Sequence, residues 1–562
     1  MVIPGLTIPA KGVSAWFVET DAAGARKWLA SLPLADSAAA AREIYQALYT
    51  LNRQDLEAHK RFELMELYRG PVAAVSDSLT GQLIGAAFPL TPDKLRLAEF
   101  VRQLPMEMAH GYKCCLQDLP RVLLGRGRRR VRLESVERTL RYLGEALLRS
   151  YQVYLPAPAG VWKEIHALYR HAERGSGHLV SVGRGDGDAR GGTTIQERYL
   201  QILLLGLSNP YQLPQGEAAQ ISRFLEHRAA GARLLQDLKI SNPVGYFLVN
   251  LAADSPPVPF PRDGRIQPQP HLRALNVVEL LQVLHSLIHR LQQGESARAL
   301  DLGFECLESA APDLLRRMIR SWGVTVRRAH TRLKRSGYLM LCAGVNAVHF
   351  FGGAQKPFSA AGHGDPDRPV AAPEMPGPDR HGDDGGAMTG SSPASVTDDD
   401  PLRQELYRID RWQVRDVGPS GMLLAQSGES GTHVRVGDLL GFQRMTEPGR
   451  WSAGVARWLK SHTGGGLEMG VELLASSVRP VAVKPLAPRA AGDTRFVQAL
   501  LLPAVEAAQR PPTLVVTRGL YQPGTDYQLL EDGLPPRRVR AQRLLERTHA
   551  FEQFVFADIE KT

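Results

Sequence analysis

The sequence predicts a multidomain α+β protein. It comprises an all-α N-terminal bundle or array of helical hairpins, a small antiparallel barrel or sandwich, and a further small β domain at the C-terminal end. Three observations predict this. Apolar residues recur with helical period through roughly the first 325 positions. From Arg408 to Leu474, short alternating runs of apolar and polar residues are broken by turns rich in Gly, Pro and Ser, as in a small β-barrel. Between these regions, residues 353–404 hold Pro, Gly, Ser, Ala and Asp, with almost no large apolar residue after Phe358. A segment of that composition cannot bury enough surface to offset the entropy lost on ordering, and disorder is expected there.

Taken in order, residues 1–20 contain two prolines among β-formers and are expected to be an extended arm. Ile44, Leu48 and Leu51 share one helical face, and Leu56–Tyr68 carries Phe62, Leu64, Met65 and Leu67 among charges. A helix is expected over Thr91–Tyr112, with Thr91 as N-cap and Pro92 at the first helical position. Others are expected over Ser135–Tyr154 and Val161–Glu173. Thr194-Ile-Gln-Glu197 is a capping box that opens the apolar run to Leu207, which Asn209-Pro210 stops. Pro214 is expected to open a helix to about Leu235. The stripe Leu280, Leu284, Leu287, Ile288 marks another, and Ala297–Trp322 the last. Tyr246–Leu251 reads as a strand, Asp254–Pro261 as a connector, and residues 183–192 as a flexible tip. The apolar stripes are read as core packing.

In the barrel, Trp412 and Val414 on one side and Met422 and Leu423 on the other flank the turn Asp416–Gly421. Val434 and Val436 precede the hairpin signal Gly437-Asp438, and Trp451–Leu459 with Leu467–Leu474 form the last pair. This order of elements resembles the PilZ domain, the small barrel that many bacterial proteins use to bind cyclic di-GMP. The family's second motif, Asp/Asn-x-Ser-x-x-Gly, would be Asp416-Val-Gly418-Pro-Ser420-Gly421. The ends match, while Gly418 stands at the central Ser and Ser420 lies two positions on. The runs from Gly454 and from Glu468 to Leu474 resemble the closing strands. The first motif, Arg-x-x-x-Arg, is matched by Arg328 and Arg332, which precede a possible opening strand at about 337–350. The resemblance thus implies a PilZ-like antiparallel β-barrel over 326–485, with 353–404 as a disordered insertion, a helical region over 1–325 and a small β domain over 486–562.

The resemblance also implies cyclic di-GMP as ligand, with Arg327, Arg328, Arg332, Asp416, Gly418, Ser420 and Gly421 as the binding residues. The chemistry is intelligible without it. Arginine's planar fork bonds a phosphate bidentately, bonds guanine O6 and N7, or stacks on the base. A glycine-rich turn lets backbone N–H groups come close to a phosphate or base. Asp416 can accept from the guanine N1/N2 edge or orient an arginine. Against this stands a barrel kept only as a scaffold, because Arg-x-x-x-Arg is common by chance in a chain with 68 Lys and Arg.

The net charge of +10 permits an anionic partner without requiring one. The basic run Gly125–Arg132 could contact nucleic acid, but it lacks interleaved aromatics and reads first as a solvated loop and helix start. No apolar run reaches membrane-spanning length, and the N-terminus lacks a signal-peptide pattern. Cys114, Cys115, Cys306 and Cys342 are too few and scattered for a disulfide framework, so a cytoplasmic protein is expected. Nucleotide-binding loops, nucleophile elbows and cyclic di-GMP synthase or hydrolase signatures are absent. His285 and His289 have ligand spacing without a third ligand and read as a partly buried helix face. The expectation is a non-enzymatic receptor without a cofactor. Ligand binding at its barrel would act on the segment 326–336 and so on a helical region that meets an unidentified protein partner. The alternative is a degenerate barrel in an adaptor that binds no nucleotide. Residues 486–562 are expected to be strands at Phe496–Pro503, Thr513–Thr517, Tyr527–Leu530 and Phe551–Phe556.

Overall fold

The structure, a computed structural model, describes residues 3–12, 16–119, 126–182, 192–261, 266–303, 310–323, 333–355, 407–427, 431–486, 496–504 and 510–559. It divides into two compact units. The first is Met1–Thr331 with Ser427–Glu429 and Trp458–Met469, and the second is Arg332–Gln426, Ser430–Arg457 and Gly470–Thr562.

In the first unit, short polar side chains cap the starts of several helices. Asp21 accepts from the N–H groups of Ala23 and Gly24 at 3.0 Å to open α1 (Ala22–Ala30), and Asp36 does the same for α2 (Ser37–Arg53). After α3 (Ala58–Gly81) comes α4 (Pro92–Asp118), with Thr91 as N-cap and Pro92 in its first turn as expected. The basic run 126–132 begins α5 (Arg126–Gln152), followed by α6 (Val161–Arg174). The pair β1 (Ser181–Val182) and β2 (Thr193–Thr194) leads into α7 (Ile195–Leu207), opened by the Thr194–Glu197 capping box. Next comes α8 (Glu217–Arg228).

The helix expected to run to Leu235 stops at Arg228. Arg233–Leu235 is instead strand β3, because it pairs with Leu272–Asn276. With β4 (Tyr246–Asn250), β5 (Val258–Pro259) and β6 (Leu272–Asn276) it makes an antiparallel sheet of order β3-β6-β4-β5 within the mainly helical region. Helix α9 (Val278–Gln292) buries Leu280, Leu284 and Leu287, as the stripe predicted. Helix α10 (Ala311–Gly323) starts later than the expected Ala297. One hydrophobic cluster runs through these helices. Buried charges here have partners: Lys113 pairs with Glu164, Arg138 with Glu137 and, at 3.1 Å, Glu66, while Arg61 donates to the carbonyls of Leu51 and Gln54.

The second unit opens with β7 (Leu333–Ala343). The strand expected to reach 350 ends here. Gly344, at φ +95°, breaks it, and Val345–Gly352 forms helix α11, whose Val345, Val348 and Phe351 are buried against Leu439, Trp451 and Leu500. The proposed insertion lies outside the described residues apart from its first three positions. Strands β8 (Asp410–Gly418), β9 (Gly421–Ser427), β10 (Leu439–Arg444), β11 (Ser452–Ser461) and β12 (Gly466–Ala475) close with β7 into a barrel of order β10-β11-β12-β9-β8-β7.

A second closed barrel follows. It is built from β13 (Arg479–Pro485), β14 (Val497–Leu502), β15 (Thr513–Thr517), β16 (Asp526–Glu531), β17 (Arg537–Arg547) and β18 (Phe551–Asp558), in the order β13-β14-β15-β18-β17-β16. Arg479–Pro485, placed in the first barrel by the sequence, pairs here with β14 and β16. Within this unit Arg457 of β11 is paired with Glu546 of β17, and His549 meets Asp438 at 3.0 Å.

Candidate functional site

The turn between β8 and β9 is tighter than the six-residue turn expected. Gly418 pairs with Gly421, so only Pro419 and Ser420 connect the strands, and both are exposed. Asp416, Val417 and Gly418 belong to β8. The register steps from Val414↔Leu424 to Asp416↔Leu423, leaving Arg415 as a bulge just before the motif. Gly421 is required sterically, since a Cβ there would lie 2.2 Å from the carbonyl oxygen of Val471. That close approach lets the Leu473 N–H donate to the Ser420 carbonyl at 2.9 Å, which pins the turn to β12. On the other side Leu333 pairs with Val417 and Lys334 with Asp416.

This end of the barrel holds a pocket of about 180 Å³. Val417, Met422, Phe442 and Leu473 give it apolar walls, while Gly418, Gly421, Arg444, Glu447, Arg450, Ser452 and Ser476 complete the lining. The volume is below the roughly 300 Å³ at which small-molecule sites begin, so the pocket has room for only part of such a molecule, such as one ring. Arg444 and Arg450 flank Glu447 at 3.7 and 3.6 Å, with all three side chains near half exposed. The sequence reading missed these three. Their only signal is the charged turn Arg444-Met-Thr-Glu-Pro-Gly-Arg450 between two strands, in which Gly449 takes φ +83°.

Of the residues predicted from sequence, Asp416, Gly418, Ser420 and Gly421 are brought together at this turn, and Gly418 and Gly421 line the pocket. Arg327, Arg328 and Arg332 lie outside the described residues; Leu333, which follows Arg332, is the first described residue of β7. His285 and His289 were expected on a partly buried face, yet both are exposed, and His289 meets Gln293 at 3.0 Å. The described residues contain no group of three or more His, Cys, Asp or Glu suited to a metal. On α5, Arg130 is paired with Glu134 one turn on, at 2.8 Å.

A larger pocket of about 410 Å³ in the first unit includes Lys11, Asp55, His59, Asp118 and Arg128. Within it Lys11 meets both Asp55 and, at 3.7 Å, Asp118. The largest pKa shifts also lie in that unit and have structural causes. Burial raises Glu137, but Arg198, Arg138 and Arg141 outweigh it and bring it to about 2. Burial lowers His166 to about 4, and the ring sits neutral between the Tyr199 hydroxyl at 2.7 Å and the Ser255 carbonyl at 3.0 Å. Burial pushes the Cys114 thiol up and that of Cys342 to about 12, which marks both as packing residues. Among the described residues no helix is long and apolar enough to cross a membrane.

Comparison with known proteins gives a consistent result along the chain. Residues 22–238 match the model of the cyclic-di-GMP receptor FimW N-terminal domain, residues 246–480 that of its middle PilZ domain, and residues 481–559 that of its C-terminal beta-barrel domain. The cyclic-di-GMP receptor FimW of Pseudomonas aeruginosa is 28% identical over 563 residues, covering 95% of this chain and 90% of that protein. No solved structure matches the chain.

Proposed function

The chain belongs to the PilZ-domain family, and from that premise we propose that it is a bacterial receptor for cyclic di-GMP. It binds the dinucleotide at the end of the β7–β12 barrel that carries the Asp416–Gly421 segment. It is a cytoplasmic binding protein and not an enzyme, with no cofactor. The observation that carries this reading is a register. Leu333, directly after Arg332, pairs with Val417, so the chain enters the barrel from the Arg-x-x-x-Arg stretch beside the turn that lines the pocket. Arg328 and Arg332 supply forks for phosphate or guanine, and the Gly418–Gly421 turn offers close backbone approach.

The ligand then acts on the chain between α10 and β7 and biases which of two states the helical region presents to a protein partner. Calorimetric titration of the full chain with cyclic di-GMP, with GTP as control, tests this. We expect micromolar or tighter binding, with a loss of about a hundredfold or more for Arg328→Ala, the range for truncating one partner of a desolvated charge pair. Binding left unchanged by Arg328→Ala would remove the arginines from the site. A second reading, a scaffold that binds no nucleotide, is favoured by one observation, Gly418 at the family's serine position.

A further inference from the structure

The pocket at the barrel end has a composition that binding of phosphates alone does not require. Its walls are apolar, from Val417, Met422, Phe442 and Leu473, and its rim carries both signs of charge, from Arg444, Glu447 and Arg450. A site for phosphate alone gains nothing from a carboxylate on its rim, since like charges repel. A guanine ring uses both. Its O6 and N7 are acceptors that match an arginine fork, and its N1–H and N2–H groups are donors that match a carboxylate. Adenine reverses the pattern, with an amino donor at position 6 and an acceptor at N1.

The rim groups are free to change partners. Arg444 and Arg450 hold Glu447 only at 3.7 and 3.6 Å, beyond hydrogen-bonding distance, and the side chains are 52%, 59% and 44% exposed in the order Arg444, Arg450, Glu447. Such loose surface pairs contribute little, so exchanging them for a bound base costs little. The turn that carries them is shaped for the purpose by Gly449 at φ +83° and is tied back by the Glu447 N–H donating to the Arg444 carbonyl at 3.0 Å.

We propose that this pocket is a guanine-reading subsite. One base of the dinucleotide inserts its ring between the apolar walls, Glu447 accepts from the N1/N2 edge, and Arg444 or Arg450 donates to O6 and N7. Glu447 is then the residue that sets guanine against adenine, separate from the arginines before β7 that hold the ligand. This rests on the receptor reading above and adds to it the source of base selectivity.

The test is calorimetric titration of the full chain with cyclic di-GMP and with cyclic di-AMP. It compares wild type, Glu447→Gln, Arg444→Lys with Arg450→Lys, and Arg328→Ala. All the rim positions are surface sites, and unchanged melting temperatures establish that the variants fold. We expect Glu447→Gln to weaken cyclic di-GMP binding about tenfold or more and to narrow the preference over cyclic di-AMP by a similar factor. The double Lys variant, which keeps charge and loses the fork, is expected to weaken cyclic di-GMP binding as well. Unchanged selectivity in Glu447→Gln, with binding still lost in Arg328→Ala, would overturn the subsite and leave the receptor standing. Tighter binding of both nucleotides by Glu447→Gln would also overturn it, making Glu447 a mere counter-charge. A wild-type chain that binds neither nucleotide would overturn both readings.

Discussion

The two barrels of this chain are built to one plan. In each, counting strands in order, the first pairs with the second and the fourth, the third with the second and the sixth, and the fifth with the fourth and the sixth. Both have buried interiors, around Trp412, Leu339 and Leu424 in one and around Tyr527, Phe554 and Val539 in the other. They differ in their connections. The second and third strands of the first barrel meet through two residues flanked by Gly418 and Gly421, whereas those of the other are separated by residues 503–512, a stretch without glycine.

Surface arginines differ too. On the second barrel Arg540 is paired doubly with Asp526, at 2.6 and 3.0 Å, and Arg537 with Glu531 and Asp558, at 2.6 and 2.9 Å. At the first barrel's pocket Arg444 and Arg450 share one carboxylate at longer range. One frame therefore carries two different ends, and the two barrels differ in their turns and charge pairing, not in their strand order.

If the strands are equivalent, core truncation should hurt both barrels alike. Trp412→Ala and Tyr527→Ala are each expected to destabilise their barrel by about 3–5 kcal/mol, seen by scanning calorimetry. An effect in only one barrel would break the equivalence. The connections should respond unequally. Gly421→Ala drives a methyl into the Val471 carbonyl and should cost about 1–3 kcal/mol together with ligand affinity. Gly533→Ala in the β16–β17 turn, where φ is +73° and nothing lies within 4 Å, should cost about 1 kcal/mol and leave affinity intact.

Gly418→Ser, which restores the family's serine on the pocket wall, is expected to tighten cyclic di-GMP binding a few-fold in the same titration. A loss of binding would mean that this turn needs the missing side chain. The smallest effect belongs to Arg540→Ala. Its pair with Asp526 is fully exposed, and neither melting temperature nor ligand affinity should change measurably.

Much of this architecture is written locally and was therefore legible. The Thr194–Glu197 box, the Thr91-Pro92 start and the stripe on α9 each gave a helix where expected, because caps and period act over a few residues. The strands expected at Thr513–Thr517 and Phe551–Phe556 stood out as apolar β-formers, and the structure has them at Thr513–Thr517 and Phe551–Asp558. Elements decided by distant partners were not legible. Val345–Gly352 has the β-rich composition of a strand and becomes a helix because its apolar face is taken up by Leu439, Trp451 and Leu500. β17 reads as a charged run, since only Val539 and Ala541 point into the core while arginines alternate outward. At the site, the glycine motif was visible as a motif. The rim of Arg444, Glu447 and Arg450 was not, because its meaning comes from β10 ending beside the β8–β9 turn, a fact of barrel register.

Closure of the barrels also settles how the protein can be gripped. A closed ladder has every strand flanked on both sides, so neither barrel can accept an extra strand from a peptide or from another copy of itself. Open edges among the larger sheets of the described residues belong to β3 and β5 of the helical region, and β5 ends on Pro259, which has no N–H to donate. A partner that meets either barrel must therefore recognise side chains or turns rather than a strand edge, and a change of a few surface residues can switch such a contact on or off without touching the fold.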